Sequence, residues 1–105
     1  MPAPTGPVTL INVFNVEPHN QQRLVDLLVE VTDRFVLGAA GFMSARLHRS
    51  FDGTKVTMYS QWRSAEDYEA MRADPVALPH FRQALTFATF EPGMYEVARD
   101  FSPSS

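Results

Sequence analysis

The chain has 105 residues, of which 45% are hydrophobic and 20% are charged, so it is expected to fold as one small domain. This length excludes a Rossmann pair or a TIM barrel, and the composition excludes intrinsic disorder. The absence of cysteine excludes disulfide frameworks, zinc knuckles, iron–sulfur clusters and thiol nucleophiles. The net charge of −3, from nine basic and twelve acidic residues, argues against nucleic acid as a partner.

The proline-rich start MPAPTGP predicts a disordered tail over residues 1–7, and residues 102–105 are expected to form a second tail. The start lacks the basic and apolar runs of a signal peptide, and no stretch reaches the ~18 to 20 apolar residues of a membrane helix. With the lack of cysteine, these features predict a cytoplasmic protein with no membrane partner. A single domain is expected to span residues 8–101.

The first predicted element is a strand from Val8 to Val16, because β-branched residues dominate this segment. One face of the strand is apolar except for Asn12, which favours a site or an interface at that position. From about Asn20 to Leu37, apolar residues recur at helical spacing and predict a helix of about five turns. Its apolar sector is wide, so a neighbouring helix or a second subunit is expected to cover part of it.

A hairpin is predicted next, with strands from Phe42 to Ser50 and from Lys55 to Trp62 on either side of an Asp-Gly turn signal. The length of the turn decides where His48 lies. A two-residue loop places His48 opposite Thr57. A three-residue loop with a left-handed glycine places it opposite Val56 instead, on the face that carries the methionine and tryptophan of the second strand.

A second helix is predicted to begin at Ala65, because Ser64 and an aspartate three residues later form a variant of the capping box. This helix is expected to end near Arg72, before an Asp-Pro pair, and further helical turns are expected from Pro79. After a Pro-Gly break, the segment from Met94 to Phe101 predicts the last strand.

The order β-α-β-β-α-β predicts an α+β, ferredoxin-like fold, with a four-stranded antiparallel sheet and both helices on one face. The second face of such a sheet is solvated, paired with another sheet, or used as a site. Alternating strand positions share one face of the sheet, and one such face is expected to carry Asn12, His48, Met58 and Trp62. It mixes large apolar side chains with isolated polar ones, which is typical of a ligand pocket. The alternative is that these residues form the interface of a dimer.

The ordered set of segments resembles the antibiotic biosynthesis monooxygenase family, ferredoxin-like domains that dimerise by packing their sheets into an α/β barrel. The resemblance covers roughly residues 8–101 and rests on VTLINVFNV, a Gly-Phe pair, HRSFDGTKVTMYSQWRSAEDY, LPHFRQAL and MYEV. Within the family, the hairpin and the stretch from Asp74 to Leu85 look most like the small cofactor-free monooxygenase of actinorhodin biosynthesis. This resemblance implies that a phenolic aromatic polyketide, or a similar polycyclic phenol, is oxidised to a quinone with O2.

The resemblance also implies site residues, since the pocket His, Trp, Tyr and Arg of the family match His48, Trp62, Tyr68 and Arg82. His48 is expected to accept a proton near neutral pH, and Arg82 to hold a phenolate through two parallel hydrogen bonds. Tyr68 is expected to donate to a carbonyl or peroxide oxygen. These three residues form the expected catalytic group, and Trp62 is expected to bind the planar substrate as an aromatic wall.

Met58 departs from the family pattern, because it matches an Asn thought to bind the oxygenated substrate. A thioether is a weak acceptor and cannot donate a hydrogen bond. Either Asn12 takes over that role, with Asn12 and Met58 both in the substrate-binding set, or the protein does something else. The alternative function is a non-oxidative polyketide cyclase or a dimeric protein that binds a polyketide intermediate.

No cofactor is expected, because an electron-rich phenolate can reduce O2 directly. No metal site is predicted either, since the three histidines fall on separate elements. The alternatives are reduced flavin supplied by a separate reductase, and heme held by His80, the position that resembles the heme-degrading branch. The expected partners are a small aromatic substrate, O2 and a second copy of the chain.

Overall fold

The computed structural model describes residues 6–103, so residues 1–5 and 104–105 of the two predicted tails lie outside the described residues. The strands are β1 (Val8–Val16), β2 (Phe42–Arg49), β3 (Lys55–Trp62), β4 (Ala88–Glu91) and β5 (Met94–Tyr95). The helices are α1 (Gln21–Val31), α2 (Ala65–Arg72) and α3 (Leu78–Ala84). The strands form one antiparallel sheet in the order β2-β3-β1-β4, and β5 also pairs with β1. This arrangement confirms the predicted fold class.

No helix within residues 6–103 is long and apolar enough to cross a membrane.

The last part of the sheet differs from the prediction of a continuous strand from Met94 to Phe101, which is wrong. Pairing with β1 begins earlier, in β4, and is interrupted at Pro92 because proline has no N–H to donate. The chain then rejoins β1 at Gly93, whose carbonyl accepts a hydrogen bond of 2.9 Å from the Ile11 N–H. Beyond β5, the described chain has no regular structure.

The helical segment after β1 has three parts. A 3-10 turn (Pro18–Asn20) leads into α1, and a π-helical turn (Thr32–Val36) extends it. In the π-helical turn, the Leu37 N–H donates to the Thr32 carbonyl over 3.0 Å, which is one residue wider than an α-helical hydrogen bond. The helical pattern predicted up to Leu37 is therefore correct in extent, but its last turn is wider.

The start of α2 is fixed by the capping interaction that the sequence predicts. The Asp67 N–H donates to the Ser64 hydroxyl over 3.2 Å, and Arg63 donates to both oxygens of the Asp67 carboxylate over 2.9 and 3.0 Å. The hydrogen bonds from Arg63 and Ser64 lower the pKa of the Asp67 carboxyl. Gly41 packs against this carboxylate with φ of 81°, and a Cβ at that position would overlap it. The turn before β2 therefore requires glycine.

The hairpin between β2 and β3 has His48 opposite Thr57 and a four-residue loop, 51–54. A loop of four residues gives this hairpin the same strand register as a loop of two residues, because one further pair of residues is simply left out of the ladder. This register puts His48 on the sheet face that points away from the helices. The Asp52 carboxylate accepts hydrogen bonds from the Thr54 hydroxyl (2.7 Å), the Thr54 N–H (2.9 Å) and the Ser50 hydroxyl (2.7 Å). These hydrogen bonds, with Thr54 the largest cause, lower the pKa of Asp52 to about 2.

The core between the sheet and the helices is divided into two apolar clusters. The first contains Phe14, Val16, Leu24, Leu27, Leu28, Val31, Val56 and Ala84. The second contains Val8, Leu10, Val36, Trp62, Ala65, Tyr68 and Met71. On β1, Asn12 stands between a residue of one cluster and a residue of the other, and only 7% of it is exposed. The polar exception in the first strand therefore marks the place where the core divides.

Candidate active site

A narrow cavity lies where the two clusters meet, between the inner face of the sheet and the three helices. Its empty volume is about 640 Å³, including the open mouth. Most lining residues are aliphatic or aromatic, and a few are polar, which is the usual composition of a small-molecule site. The cavity lies between the sheet and its own helices, within a single chain.

Three of the polar side chains that line this cavity are joined by hydrogen bonds. The Asn12 amide donates from Nδ2 to the Tyr68 hydroxyl over 3.1 Å, and Arg72 donates from Nη1 to the same hydroxyl over 3.0 Å. The Oδ1 atom of Asn12 accepts from the Gly93 N–H over 3.3 Å. Asn12 therefore ties β1 to α2 and to the bend between β4 and β5.

The two hydrogen bonds that Tyr68 accepts determine what its hydroxyl can do next. A phenolic oxygen has two acceptor lone pairs, and Asn12 and Arg72 occupy both of them. The described residues offer the Tyr68 proton no acceptor, although the side chain is only 8% exposed. The Tyr68 hydroxyl can therefore donate a hydrogen bond to an oxygen atom of a molecule in the cavity.

Trp62 forms part of the cavity wall and part of the core at the same time. It is 1% exposed, and its indole N–H donates to the Ser60 hydroxyl over 3.2 Å. Its ring meets the Tyr68 ring edge to face, with centroids 5.6 Å apart. These contacts fix the indole plane at the side of the cavity.

Met58 lines the cavity beside Asn12, because these two residues are directly paired across β3 and β1. The family has an Asn side chain at the position of Met58. In this chain, the neighbouring amide on the same face of the sheet is that of Asn12, on β1. One of the two Nδ2 protons of Asn12 is used by Tyr68, and the other remains for a ligand.

The structure does not bring two of the expected catalytic residues, His48 and Arg82, into the cavity. His48 lies on the outer face of the sheet, since the even hairpin loop pairs it with Thr57. Arg82 is exposed on α3, because Phe81 and Leu85, one helical turn apart, are the residues of this segment that face the cavity. In the single chain, Tyr68 therefore lines the cavity, and His48 and Arg82 lie outside it.

The arginine that lines the cavity is Arg72, which the sequence indicated only as the end of a helix. It lies one helical turn after Tyr68, so both side chains share a face of α2. This i, i+4 spacing is the signal that could have identified it. Its guanidinium carbon lies 5.0 Å from the centroid of Phe81 and 5.1 Å from that of Phe90.

His80, the residue considered for heme, lies outside the cavity lining. Its ring packs against Phe35 with centroids 5.0 Å apart. Within residues 6–103, no three His, Asp or Glu side chains come together in a group that could hold a metal ion.

The chain is similar in sequence to a known family and to a known protein. The family model described as antibiotic biosynthesis monooxygenase matches residues 7–86. The tetracenomycin-F1 monooxygenase of Streptomyces glaucescens is 43% identical over 97 residues, which cover 92% of this chain and 87% of that protein.

Two solved structures extend the similarity to the fold. A monooxygenase from the gene ActVA-Orf6 of Streptomyces coelicolor, in complex with the ligand Nanaomycin D, has a TM-score of 0.80 and 27% identity, covering 95% of this chain and 94% of that chain. SnoaB, a cofactor-independent oxygenase from Streptomyces nogalater, shares the fold with a TM-score of 0.73 and 24% identity, covering 94% of this chain and 99% of that chain. Together with the sequence match, these similarities confirm the predicted family: the chain belongs to the antibiotic biosynthesis monooxygenase family and is a monooxygenase.

Proposed function

We propose that this monooxygenase oxidises a phenolic aromatic polyketide, or a similar polycyclic phenol, to a quinone with O2 and without a cofactor. The observation that carries the proposal is the narrow apolar cavity in which Asn12, Tyr68 and Arg72 meet. An aromatic molecule suits the apolar lining, and its oxygen atoms suit the hydrogen-bond donors. The 43% identity to a monooxygenase named for tetracenomycin F1 supports a substrate of this class.

The proposed reaction needs no reductant other than the substrate. The substrate loses the hydrogen of its phenolic hydroxyl and the hydrogen of the ring carbon opposite, and that carbon gains one oxygen atom. Both carbons become the carbonyls of a quinone, which removes four electrons from the substrate. O2 accepts these four electrons: one oxygen atom enters the product and the other leaves as water. The phenolate form is the electron-rich species that reacts with O2, so the protein has to bind and orient this form and stabilise charge.

Four residues that line the cavity have a part in this proposal. Tyr68 donates its proton to the carbonyl or peroxide oxygen, because both its lone pairs are already engaged. Asn12 holds Tyr68 in place and offers its second N–H to the substrate. Trp62 forms the aromatic wall, and Met58 contributes an apolar surface in place of an amide.

We also propose that two copies pack the outer faces of their sheets together. The outer face has no helix over it, and Ile11, Val13 and Tyr59 on it are only partly exposed. The segment after β5 has apolar side chains in contact with solvent, including Phe101, which is 85% exposed. Sedimentation velocity at micromolar concentration is expected to give the mass of a dimer, and a monomer would contradict this part.

The function is tested by following O2 uptake and quinone absorbance together. The purified protein, dialysed against EDTA and without added flavin or heme, is mixed with tetracenomycin F1 or an anthrone. We expect one O2 consumed per quinone formed, at a rate well above that without protein. Tyr68→Phe is expected to lower this rate at least tenfold, whereas the control Tyr59→Phe, on the outer face of β3, leaves it within about twofold.

A flat oxygen trace across the panel would refute the oxygenase proposal. Tight substrate binding without oxygen uptake would instead identify a cyclase or a binding protein, the function that Met58 favours. A requirement for added reduced flavin, or a Soret shift on adding hemin, would refute the absence of a cofactor.

A further inference from the structure

We propose that Arg72 makes the cavity a receptor for an ionised hydroxyl group, so that the protein binds phenols and enols in their anionic form. The inference rests on the proposed function in one respect: the ligand is taken to be a hydroxylated aromatic molecule. It adds the residue that selects the ionised form of that molecule.

The first observation is that the charge of Arg72 has no acidic partner. The ion pairs within residues 6–103 join Arg34 to Glu30 and Arg63 to Asp67, and Arg72 takes part in neither. Its guanidinium makes one hydrogen bond to the described protein, from Nη1 to the hydroxyl of Tyr68. The Nε atom is buried and has no hydrogen-bond acceptor among these residues. A partly buried cation with an unsatisfied N–H is unfavourable unless an anion completes its surroundings.

The aromatic rings around Arg72 provide only part of that compensation. Phe81, Phe90 and Tyr68 have ring centroids 5.0, 5.1 and 6.0 Å from the guanidinium carbon. Ring faces attract a cation, but they do not replace an oxygen atom as the acceptor of an N–H bond. The rings also hold the guanidinium plane and exclude water, which strengthens the interaction with an anion that enters the cavity.

The second observation concerns the other ionisable groups that face Arg72. Of the residues that line the cavity from the sheet and from all three helices, only Tyr68 and Arg72 have ionisable side chains. The lining therefore contains a cation and a hydroxyl donor but no imidazole and no carboxylate that could take the substrate proton. Binding then selects the ionised form through charge stabilisation, and the proton leaves to solvent.

The test uses alizarin, a dihydroxyanthraquinone that changes colour on ionisation and is already a quinone. Its absorbance is titrated against pH with and without an excess of the protein. The wild-type protein is expected to lower the pKa of bound alizarin by about 1–3 units, the effect of an opposite charge at close range. Arg72→Met is expected to abolish this shift, and Arg72→Lys to keep part of it, because the charge is retained without the planar donor group.

The matched control is Arg23→Met. Arg23 also stacks on an aromatic ring, with its guanidinium carbon 4.0 Å from the centroid of Phe87, but it is exposed and does not line the cavity. This variant is expected to shift the titration of alizarin as the wild-type protein does.

Thermal unfolding adds a second readout. If Arg72 only supported the fold, Arg72→Met would lower Tm and leave the titration unchanged. The proposal requires instead that Arg72→Met no longer lowers the pKa of alizarin, while its Tm is equal to or above that of the wild type.

The proposal is overturned if alizarin titrates alike with the wild type, Arg72→Met and Arg72→Lys, or if the wild-type protein leaves its titration unshifted. If Arg72→Met fails to fold, the comparison of Arg72→Lys with the wild type decides. Because alizarin needs no oxidation, a flat oxygen trace with anthrones would refute the proposed function and leave this result intact. An unshifted titration with normal oxygen uptake would remove only the role of Arg72.

Discussion

Replacing Asn12 by alanine is the sharpest test of how the cavity is held together. Asn12 is 7% exposed and joins Tyr68 to Gly93 through two hydrogen bonds of 3.1 and 3.3 Å. A hydrogen bond of this kind contributes about 0.5–1.5 kcal/mol net, so Asn12→Ala is expected to lower the free energy of unfolding by about 2 kcal/mol. For a domain of this size, that corresponds to a fall in Tm of roughly 8–16 °C.

The assay is urea unfolding followed by the fluorescence of Trp62, at one fixed protein concentration because a dimer would make stability concentration-dependent. Asn15→Ala is the control, since Asn15 lies on the same strand but its hydrogen bonds to Glu91 and Lys55 are at the surface. Its effect is expected to stay within about 0.5 kcal/mol.

The unfolding midpoint of Asn12→Ala should fall while the slope against urea stays unchanged. A double-mutant cycle with Tyr68→Phe is expected to show a coupling energy of about 0.5–1.5 kcal/mol. Equal stabilities for the Asn12 and Asn15 variants would refute the reasoning, because the buried bridge would then contribute no more than a surface contact.

Three further predictions follow from other parts of the molecule. Gly41→Ala is expected to lower the unfolding free energy by at least about 1–2 kcal/mol, measured by calorimetry, because the left-handed backbone disfavours a Cβ that would also overlap Asp67. Asp52 is expected to titrate by NMR at about pH 2, below its ordinary value of 3.8. The contribution of the ionised Asp52 carboxylate to stability should be complete above pH 3.8 and disappear as the pH falls through 2. Asp52→Asn should remove this part of the pH dependence of the unfolding free energy. Arg82→Ala is expected to change the oxygen-uptake rate less than twofold; a tenfold loss would contradict its placement outside the cavity.

Much of the fold could be predicted from the sequence because its signals are local. The alternation of β-branched residues defined β1, and the serine before Ala65 defined the first residue of α2. The last strand could not be predicted in this way. Its pairing depends on how Gly93 hydrogen-bonds to Ile11 and Asn12, residues from the other end of the chain.

The candidate site was predicted only in part, for a related reason. Asn12, Met58, Trp62 and Tyr68 reach the cavity because strand alternation and helix spacing fix the faces on which they lie. The i, i+4 spacing places Arg72 on the same face of α2 as Tyr68, but the position of Arg82 depends on how the short helix α3 is oriented against the sheet, which spacing along the chain does not determine.

The bridge through Asn12 has a consequence for how the protein is made. Its two hydrogen bonds join residues that are 56 and 81 positions apart in the sequence. Contacts of such long range form late, because a large loop must close before they contribute. During synthesis, Asn12 is made long before Gly93, so until Gly93 is added the Asn12 amide oxygen has only water as the donor in place of the Gly93 N–H. The cavity is therefore among the last parts of the molecule to be completed, and a chain that stops short of Gly93 would have most of the sheet and helices but an unfinished site.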